Sequence, residues 1–161
     1  MIDQIAAGGR VAGLHARTRT IIRHLERFPL SVIQLGLRVG IGSVFFNSGL
    51  LKLRSWEFAV RLFRDEYQVP VLPPELAAVL ATAVELTCPV LLFLGLATRL
   101  ATLPLLGMVA VIQIFVYPGA WPEHLMWASI LVFLFTRGPG SVSVDHVLEH
   151  RFFGRSGYSV W

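Results

Sequence analysis

The chain has 161 residues, of which 55% are hydrophobic and only 15% are charged, and its mean hydropathy is +0.65. Soluble domains are about one-quarter charged, so this composition excludes an ordinary soluble domain and predicts an integral membrane protein. The formal net charge of +4 accompanies apolar runs, which favours anionic lipid headgroups rather than nucleic acid as the partner of the basic residues.

The first 29 residues contain five arginines. Within them, the stretch RTRTIIRHLERF at residues 17–28 places Ile21, Ile22, Leu25 and Phe28 between arginines at helical spacing. This pattern predicts a basic amphipathic helix on the inner membrane surface, within a cytoplasmic segment 1–29. A disordered basic tail is the alternative.

Four apolar runs approach the roughly 20 residues that a membrane-spanning helix needs. Arg38 interrupts the first and Glu85 the second, whereas the third has no ionised residue and the fourth begins near Glu123 and His124. We therefore predict an all-α integral membrane four-helix bundle, with amphipathic interfacial helices at the N-terminus and in the first outer loop. Its spans are predicted at about residues 30–51, 76–97, 101–117 and 121–136.

The first outer loop contains the stretch SWEFAVRLFRDEYQVP, residues 55–70. Ser55 is a residue type that caps helices, and the prolines at 70, 73 and 74 end this element and begin the next span. The stretch predicts an amphipathic helix that covers the bundle from outside, with one apolar face formed by Trp56, Ala59, Val60, Phe63 and Tyr67.

The placement of arginine and lysine predicts the orientation of the bundle. With the N-terminus inside, nine of these residues lie on the cytoplasmic side, and four lie outside, at Lys52, Arg54, Arg61 and Arg64. We therefore expect an inner (plasma) membrane protein whose N-terminus and C-terminal tail, residues 138–161, are both cytoplasmic.

Each of the first two spans carries a stripe of residues at alternating steps of three and four, which places each stripe on one helix face. Glycines on the first stripe allow a neighbouring helix to approach closely. The first stripe is Arg38, Gly42, Phe45, Gly49 and Lys52, and the second is Thr82, Glu85, Pro89, Leu92, Leu96 and Arg99.

Arg38 and Glu85 each lie near the middle of a predicted span, where a charge costs roughly 2.5–3.5 kcal/mol to insert. Because consecutive spans run antiparallel, we predict that the two residues share a depth and form a pair. Such a pair either only joins two helices or lines a site for a small anion, a quinone headgroup or a proton. The candidate ligand-binding or intramembrane polar residues are Arg38, Asn47, Lys52, Glu85, Arg99 and Gln113.

Metal-site signals are weak. The sequence HVLEH, residues 146–150, matches a zinc-peptidase pattern, but a cytoplasmic helix capped by Ser143 or Asp145 is the favoured interpretation. The single cysteine, Cys88, excludes an intrachain disulfide and a cysteine-based metal site. We therefore predict no metal site.

Three stretches, taken in order, resemble the DoxX family of small bacterial membrane proteins. They are R-x3-G-x2-F-x3-G-x2-KL from Arg38 to Leu53, EL-x2-PVLLFLGLATRLA from Glu85 to Ala101, and GPGSVSVD from Gly138 to Asp145. The similarity runs from about residue 30 to 148. It implies a four-helix membrane bundle and an association with thiosulfate:quinone oxidoreduction and with membrane complexes that handle oxidative stress.

The preferred functional hypothesis is an accessory or anchoring subunit of a membrane redox or oxidative-stress system. No catalytic residue is identified, so we expect at most a subunit of a quinone-linked oxidoreductase and not an enzyme on its own. No motif in the sequence indicates a bound cofactor, and a quinone is the candidate cofactor. The expected partners are the lipid bilayer and either a partner subunit or further copies of the chain; a proton- or anion-coupled transporter and a ligand-free scaffold are the alternatives.

Overall fold

The computed structural model describes Arg19 and residues 27–152, and every regular element within them is a helix. The chain divides into two units, residues 1–30 and 31–161, and the described elements belong almost entirely to the second. The predicted N-terminal amphipathic helix lies outside the described residues, except for Arg19, Arg27 and Phe28.

The helices follow one another with short connections. Helix α2 continues directly into a π-helical turn, Phe63–Tyr67, and α4 continues into a second one, Ile112–Val116. The α-helices of the described residues are α1 (Leu30–Arg54), α2 (Trp56–Leu62), α3 (Pro74–Leu94), α4 (Thr98–Val111), α5 (Trp121–Arg137) and α6 (Val144–Phe152).

Three described helices are long and apolar enough to cross a membrane: Leu30–Arg54, Pro74–Leu94 and Thr98–Val116. Their mean hydropathies are 1.4, 2.1 and 1.9. Helix α5, which corresponds to the predicted fourth span, is not among them. Its 17 residues extend about 25 Å, less than the roughly 30 Å of a hydrocarbon core.

Helices α1, α3, α4 and α5 each contribute buried side chains to one apolar core. Small residues of α1 set how closely α3 approaches: a Cβ at Gly42 would lie 2.6 Å from Phe93, and one at Gly49 would lie 2.9 Å from Leu86. The buried core residues are Ile41, Phe45, Cys88, Leu92, Ala101, Leu105, Val109, Leu131 and Leu134.

A second, smaller cluster joins α2 to the first turns of α3. Phe63 packs with Ala77 and Ala78, and Val60 and Tyr67 lie against them. Ser55 occupies the N-cap position of α2, but its side chain makes no capping hydrogen bond. Trp56, which is predicted to lie on the same apolar face, is 37% exposed.

The reversal between α3 and α4 is tight. Gly95 ends α3 with φ of 65°, a left-handed conformation that glycine adopts without steric cost, and Leu96 N donates to Leu91 O at 2.9 Å. The predicted second span, 76–97, therefore ends earlier, at Leu94. Arg99 lies on α4, so its predicted place on the same helical stripe as Glu85 is wrong.

The segment after α5 returns to the first turns of α1. Gln34 Nε2 donates to Gly138 O at 3.2 Å, and the hydroxyls of Ser31 and Ser141 lie 2.7 Å apart. Gly140 has a φ of 83°, and a Cβ there would overlap Gln34. The glycine-containing turn therefore fixes where the C-terminal segment crosses α1.

Candidate functional site

A cavity of about 740 Å³ lies within this helical unit. Its walls come from α1, α3, α4 and α5 and from both π-helical turns, and most lining side chains are aliphatic or aromatic. Ligand sites commonly occupy roughly 300–1,000 Å³ and combine apolar walls with a few polar groups. The polar and charged side chains that line this cavity are Ser48, Lys52, Tyr67, Glu85, Tyr117, Glu123 and His124.

Lys52 and Glu85 form a buried ion pair in the cavity wall. Lys52 Nζ donates to both carboxylate oxygens of Glu85 at 2.8 Å and to Ser48 Oγ at 3.0 Å. The Lys52 side chain is 14% exposed and that of Glu85 is 5% exposed. All three ammonium protons therefore have an acceptor within this cluster.

The predicted pair between Arg38 and Glu85 is wrong, because the assumed helix register differs from the observed one. Gly49 lies opposite Glu85 and Leu86, and Gly42 lies opposite Phe93. Glu85 is thus level with Gly49, which is eleven residues, or about 16 Å of helix, from Arg38. Lys52, one turn beyond Gly49 on the same face, is the residue that reaches Glu85.

A second polar group on the cavity wall involves His124, which is only 4% exposed. Its Nδ1 lies 2.7 Å from Gln113 Oε1, and Gln113 Nε2 donates to Pro118 O at 2.8 Å. Gln113 lies in the π-helical turn that follows α4, a type of turn frequently found at functional sites. The amide thus holds the imidazole of the next helix in place.

Aromatic side chains surround these polar groups. Trp127 meets Phe45 edge-on with ring centroids 5.7 Å apart and lies 5.4 Å from the His124 ring. The Tyr67 and Tyr117 rings are 6.0 Å apart. Aromatic pairs prefer this edge-to-face arrangement, and here it places four aromatic rings along the cavity wall.

Tyr117 also connects the two π-helical regions. Its hydroxyl donates to Glu66 Oε1 at 2.9 Å. This hydrogen bond raises the pKa of the Tyr117 phenol, because it favours the protonated form beside a carboxylate. Tyr117 therefore remains a neutral donor at physiological pH.

Arg38 forms a separate buried cluster at the opposite end of α1. It is fully buried, and its guanidinium donates to Leu92 O at 3.4 Å and to Val142 O at 2.5 Å. The Asp145 carboxylate attracts it electrostatically. A Cβ at Gly95 would overlap the guanidinium, so the glycine leaves the space that Arg38 fills.

Asp145 joins this cluster to the start of α4. Its carboxylate accepts hydrogen bonds from Ala97 N at 2.8 Å and Thr98 N at 3.2 Å, and its own N–H donates to Gly95 O at 3.0 Å. A carboxylate at a helix N-terminus satisfies free amides and interacts favourably with the helix dipole. The Arg38 cluster is therefore a structural junction of α1, the α3–α4 reversal and the C-terminal segment.

Comparison with protein families decides the classification. Residues 33–118, more than half of the chain, match the family model described as DoxX. The chain belongs to the DoxX family. Comparisons with curated proteins and with solved structures gave no significant match.

The matched DoxX region includes Arg38, Lys52, Glu85 and Gln113, whereas His124 and the segment 138–145 follow it. The three motifs that carried the resemblance meet at the Arg38 cluster, because Arg38, Gly95 and Asp145 come one from each. The first two motifs also provide the ion pair of the cavity. Within the described residues, Arg38 and Glu85 thus lie in two separate buried polar clusters of this DoxX chain, and not in the one predicted pair.

The remaining predicted site residues lie apart from the cavity. Asn47 is exposed on α1. Arg99 is also exposed, and its Nη2 donates to Thr136 O at 3.5 Å. Neither side chain lines the cavity of this DoxX protein.

The weak zinc pattern HVLEH, residues 146–150, lies within helix α6. Ser143 Oγ accepts a hydrogen bond from His146 N at 3.2 Å, so Ser143, rather than Asp145, caps this helix. The His146 and His150 rings are 4.4 Å apart. Among the described residues, no three or more His, Cys, Asp or Glu side chains group as a metal site.

His124 lines the cavity but is not among the predicted site residues. The pattern that identifies it is the series His124, Trp127, Leu131 and Leu134, whose steps of three and four place these residues on one face of α5. His124, Leu131 and Leu134 are buried in this DoxX chain, and Trp127 packs against the core. A histidine at the start of an otherwise apolar face was the available signal.

Proposed function

We propose that this DoxX protein binds the headgroup of a membrane quinone in its cavity and acts as a membrane subunit of a redox or oxidative-stress system. The observation that carries the proposal is the meeting of the Lys52–Glu85 pair, His124 and several aromatic rings around one cavity. A quinone headgroup is a flat ring with oxygen atoms on opposite edges. The aromatic side chains match the ring, and the polar side chains can hydrogen-bond its oxygen atoms, which are carbonyls in the oxidised form and hydroxyls in the reduced form.

The proposed topology has four membrane crossings, with both termini in the cytoplasm of a cell whose inner membrane holds the protein. Three helices have the length and composition of spans. Helix α5 supports a fourth crossing because Leu131 and Leu134 complete the core formed by those three. In this orientation the Lys52 end of α1 and the cavity face the outer side of the membrane.

A quinone fits the charges of the site better than a small anion does. The Lys52 ammonium is already paired with Glu85, and Arg38 is bound by backbone carbonyls and attracted by Asp145. Lys52 therefore has no free N–H for an anion, and Arg38 does not line the cavity. A neutral ring with polar edges requires no unpaired cation.

Transport of protons or anions is the second candidate, and the packing favours it less. The apolar core, including Ile41, Leu92 and Leu134, lies between the Lys52–Glu85 pair and the Arg38 cluster. Ion pathways in membrane proteins are lined by polar groups or water-filled space. A cavity that ends at an apolar core supports binding over passage.

The subunit role follows from the chemistry of the site. A quinone accepts or donates electrons. The redox centre that exchanges electrons with it is a cofactor or belongs to another protein. A partner subunit that carries a redox centre would complete the reaction at the membrane. This protein would hold the quinone and anchor the assembly.

The test of quinone binding is to fill the cavity. Ala81 lines it, so Ala81→Phe is expected to weaken binding of decylubiquinone at least about tenfold by occupying the ring position. Binding is measured by calorimetric titration of the purified protein in lipid nanodiscs. The matched control is Ala83→Phe, an exposed position on the same helix, which is expected to bind as the unsubstituted protein does.

The proposal is contradicted if the unsubstituted protein does not bind the quinone, or if the two phenylalanine variants bind equally well. Circular dichroism and thermal unfolding verify that both variants remain folded. A folded Ala81→Phe protein with undiminished binding would place the ligand elsewhere.

A further inference from the structure

The hydrogen bonds of Gln113 determine which ring nitrogen of His124 carries the proton. Pro118 O is a carbonyl and only accepts, so the Gln113 atom 2.8 Å from it is the amide nitrogen. The amide oxygen must then face His124 Nδ1, at 2.7 Å. An oxygen acceptor at this distance requires that Nδ1 is the donor.

This assignment leaves the other ring nitrogen as an acceptor. A neutral imidazole has one N–H group, and Gln113 holds it at Nδ1. Nε2 then offers an unshared electron pair. Because His124 lines the cavity, this nitrogen is the imidazole atom available to a ligand.

The strongest donor on the cavity wall is already engaged. Lys52 Nζ has three N–H groups and three acceptors within 3.0 Å, namely the two oxygens of Glu85 and Ser48 Oγ. Tyr117 likewise donates to Glu66. The charged and imidazole groups of the wall therefore present acceptors, at His124 Nε2 and at the carboxylates of Glu85 and Glu123.

We propose that the cavity prefers the reduced, hydroxyl-bearing quinol to the oxidised quinone, and that Gln113 is the positioning residue for this preference. A quinol O–H donates to His124 Nε2, whereas a quinone carbonyl is itself an acceptor and gains no bond there. This inference rests on the proposed quinone site. Tighter binding of the reduced form raises the reduction potential of the bound couple, so the site favours reduction of a quinone by a partner that supplies the electrons.

The experiment compares the dissociation constants of decylubiquinol and decylubiquinone, under anaerobic conditions, in lipid nanodiscs. The unsubstituted protein is expected to bind the quinol at least about fivefold more tightly, the ratio that one net hydrogen bond provides. Gln113→Leu removes the acceptor at Nδ1 and frees both tautomers, so the ratio is expected to fall towards one. Asn47→Leu, the same amide-to-leucine change at an exposed position, keeps the ratio.

Nitrogen-15 NMR of the histidine side chains reports the tautomer of His124. A change in side-chain packing alone would not alter this tautomer. The His124 signal is expected to report the Nδ1–H tautomer in the unsubstituted protein and a tautomer mixture in Gln113→Leu. His124→Asn is expected to keep a donor towards Gln113, lose the Nε2 acceptor and abolish the preference.

The outcomes separate this inference from the proposed function. Equal binding of quinol and quinone, or a preference that survives Gln113→Leu, overturns the inference and leaves the quinone site intact. Weaker binding of both ligands at an unchanged ratio assigns Gln113 a purely structural role and also overturns it. Binding of neither ligand by the unsubstituted protein refutes the proposed function itself.

Discussion

Replacing Arg38 with glutamine is expected to lower the free energy of unfolding by about 3–5 kcal/mol, the range for removing one partner from a buried charged cluster. The change leaves the carbonyls of Leu92 and Val142 without their charged donor and removes the cation that attracts Asp145. Unfolding of the detergent-solubilised protein, followed by circular dichroism during denaturant titration, measures the loss.

Two further arginine variants serve as comparisons in this measurement. Arg99→Gln removes the same charge from an exposed position and is expected to change the unfolding free energy by no more than about 0.5 kcal/mol. Arg38→Lys keeps the charge but lacks the planar guanidinium with its several N–H donors. We therefore expect a smaller but measurable loss of unfolding free energy. Equal stabilities of the Arg38→Gln and Arg99→Gln proteins would contradict the structural role of Arg38.

The Lys52–Glu85 pair is expected to show strong energetic coupling. Lys52→Met and Glu85→Gln should each reduce the unfolding free energy by about 2–4 kcal/mol, because each leaves a buried group without its partner. The double variant leaves no unpaired charge. The double variant is therefore expected to lose less unfolding free energy than the two single variants added together. The difference, measured as a double-mutant cycle, is expected to be about 2 kcal/mol.

The chain offers a matched control pair for that cycle. Arg64 and Glu75 also form an ion pair, but their side chains are 56% and 59% exposed. Exposed pairs contribute roughly 0–1 kcal/mol, so a cycle of Arg64→Met and Glu75→Gln is expected to give a small coupling. Additive losses at Lys52 and Glu85 would show that the two groups do not stabilise each other.

Much of the helical layout follows from the sequence because apolar runs and prolines are local signals. Pro73 and Pro74 mark the start of α3, and the glycines at 42 and 49 lie where α1 meets α3, on the face that their spacing predicts. The end of α3 was missed because Gly95 adopts a left-handed conformation. That single residue moves Arg99 to another helix.

The pairing of charges was not predictable in the same way. The sequence predicts Arg38 and Glu85 at the same depth, because each lies near the middle of its apolar run and that middle is taken as the middle of the membrane. The register instead follows side-chain packing at Gly42 and Gly49, which brings Lys52 to Glu85. Packing between distant segments also brings Asp145 to the start of α4, and no local pattern encodes that contact.

His124 illustrates a residue whose neighbours no local pattern predicts. It lies near the start of the fourth apolar run, far in sequence from many of the other cavity residues. The π-helical turn Ile112–Val116 and the bend at Pro118 bring Gln113 against it. Irregular helical turns of this kind depend on tertiary packing, and they shape both sides of the cavity.

The most direct test of the central claim is photochemical labelling of the purified protein with an azidoquinone, followed by mapping of the labelled residues by mass spectrometry. The account predicts crosslinks on cavity residues such as Met108, Ile112 and Trp127, and their loss in Ala81→Phe. Crosslinks spread over exposed apolar residues such as Leu51, Ile114 and Leu125, unchanged by Ala81→Phe, would contradict a quinone site in this cavity.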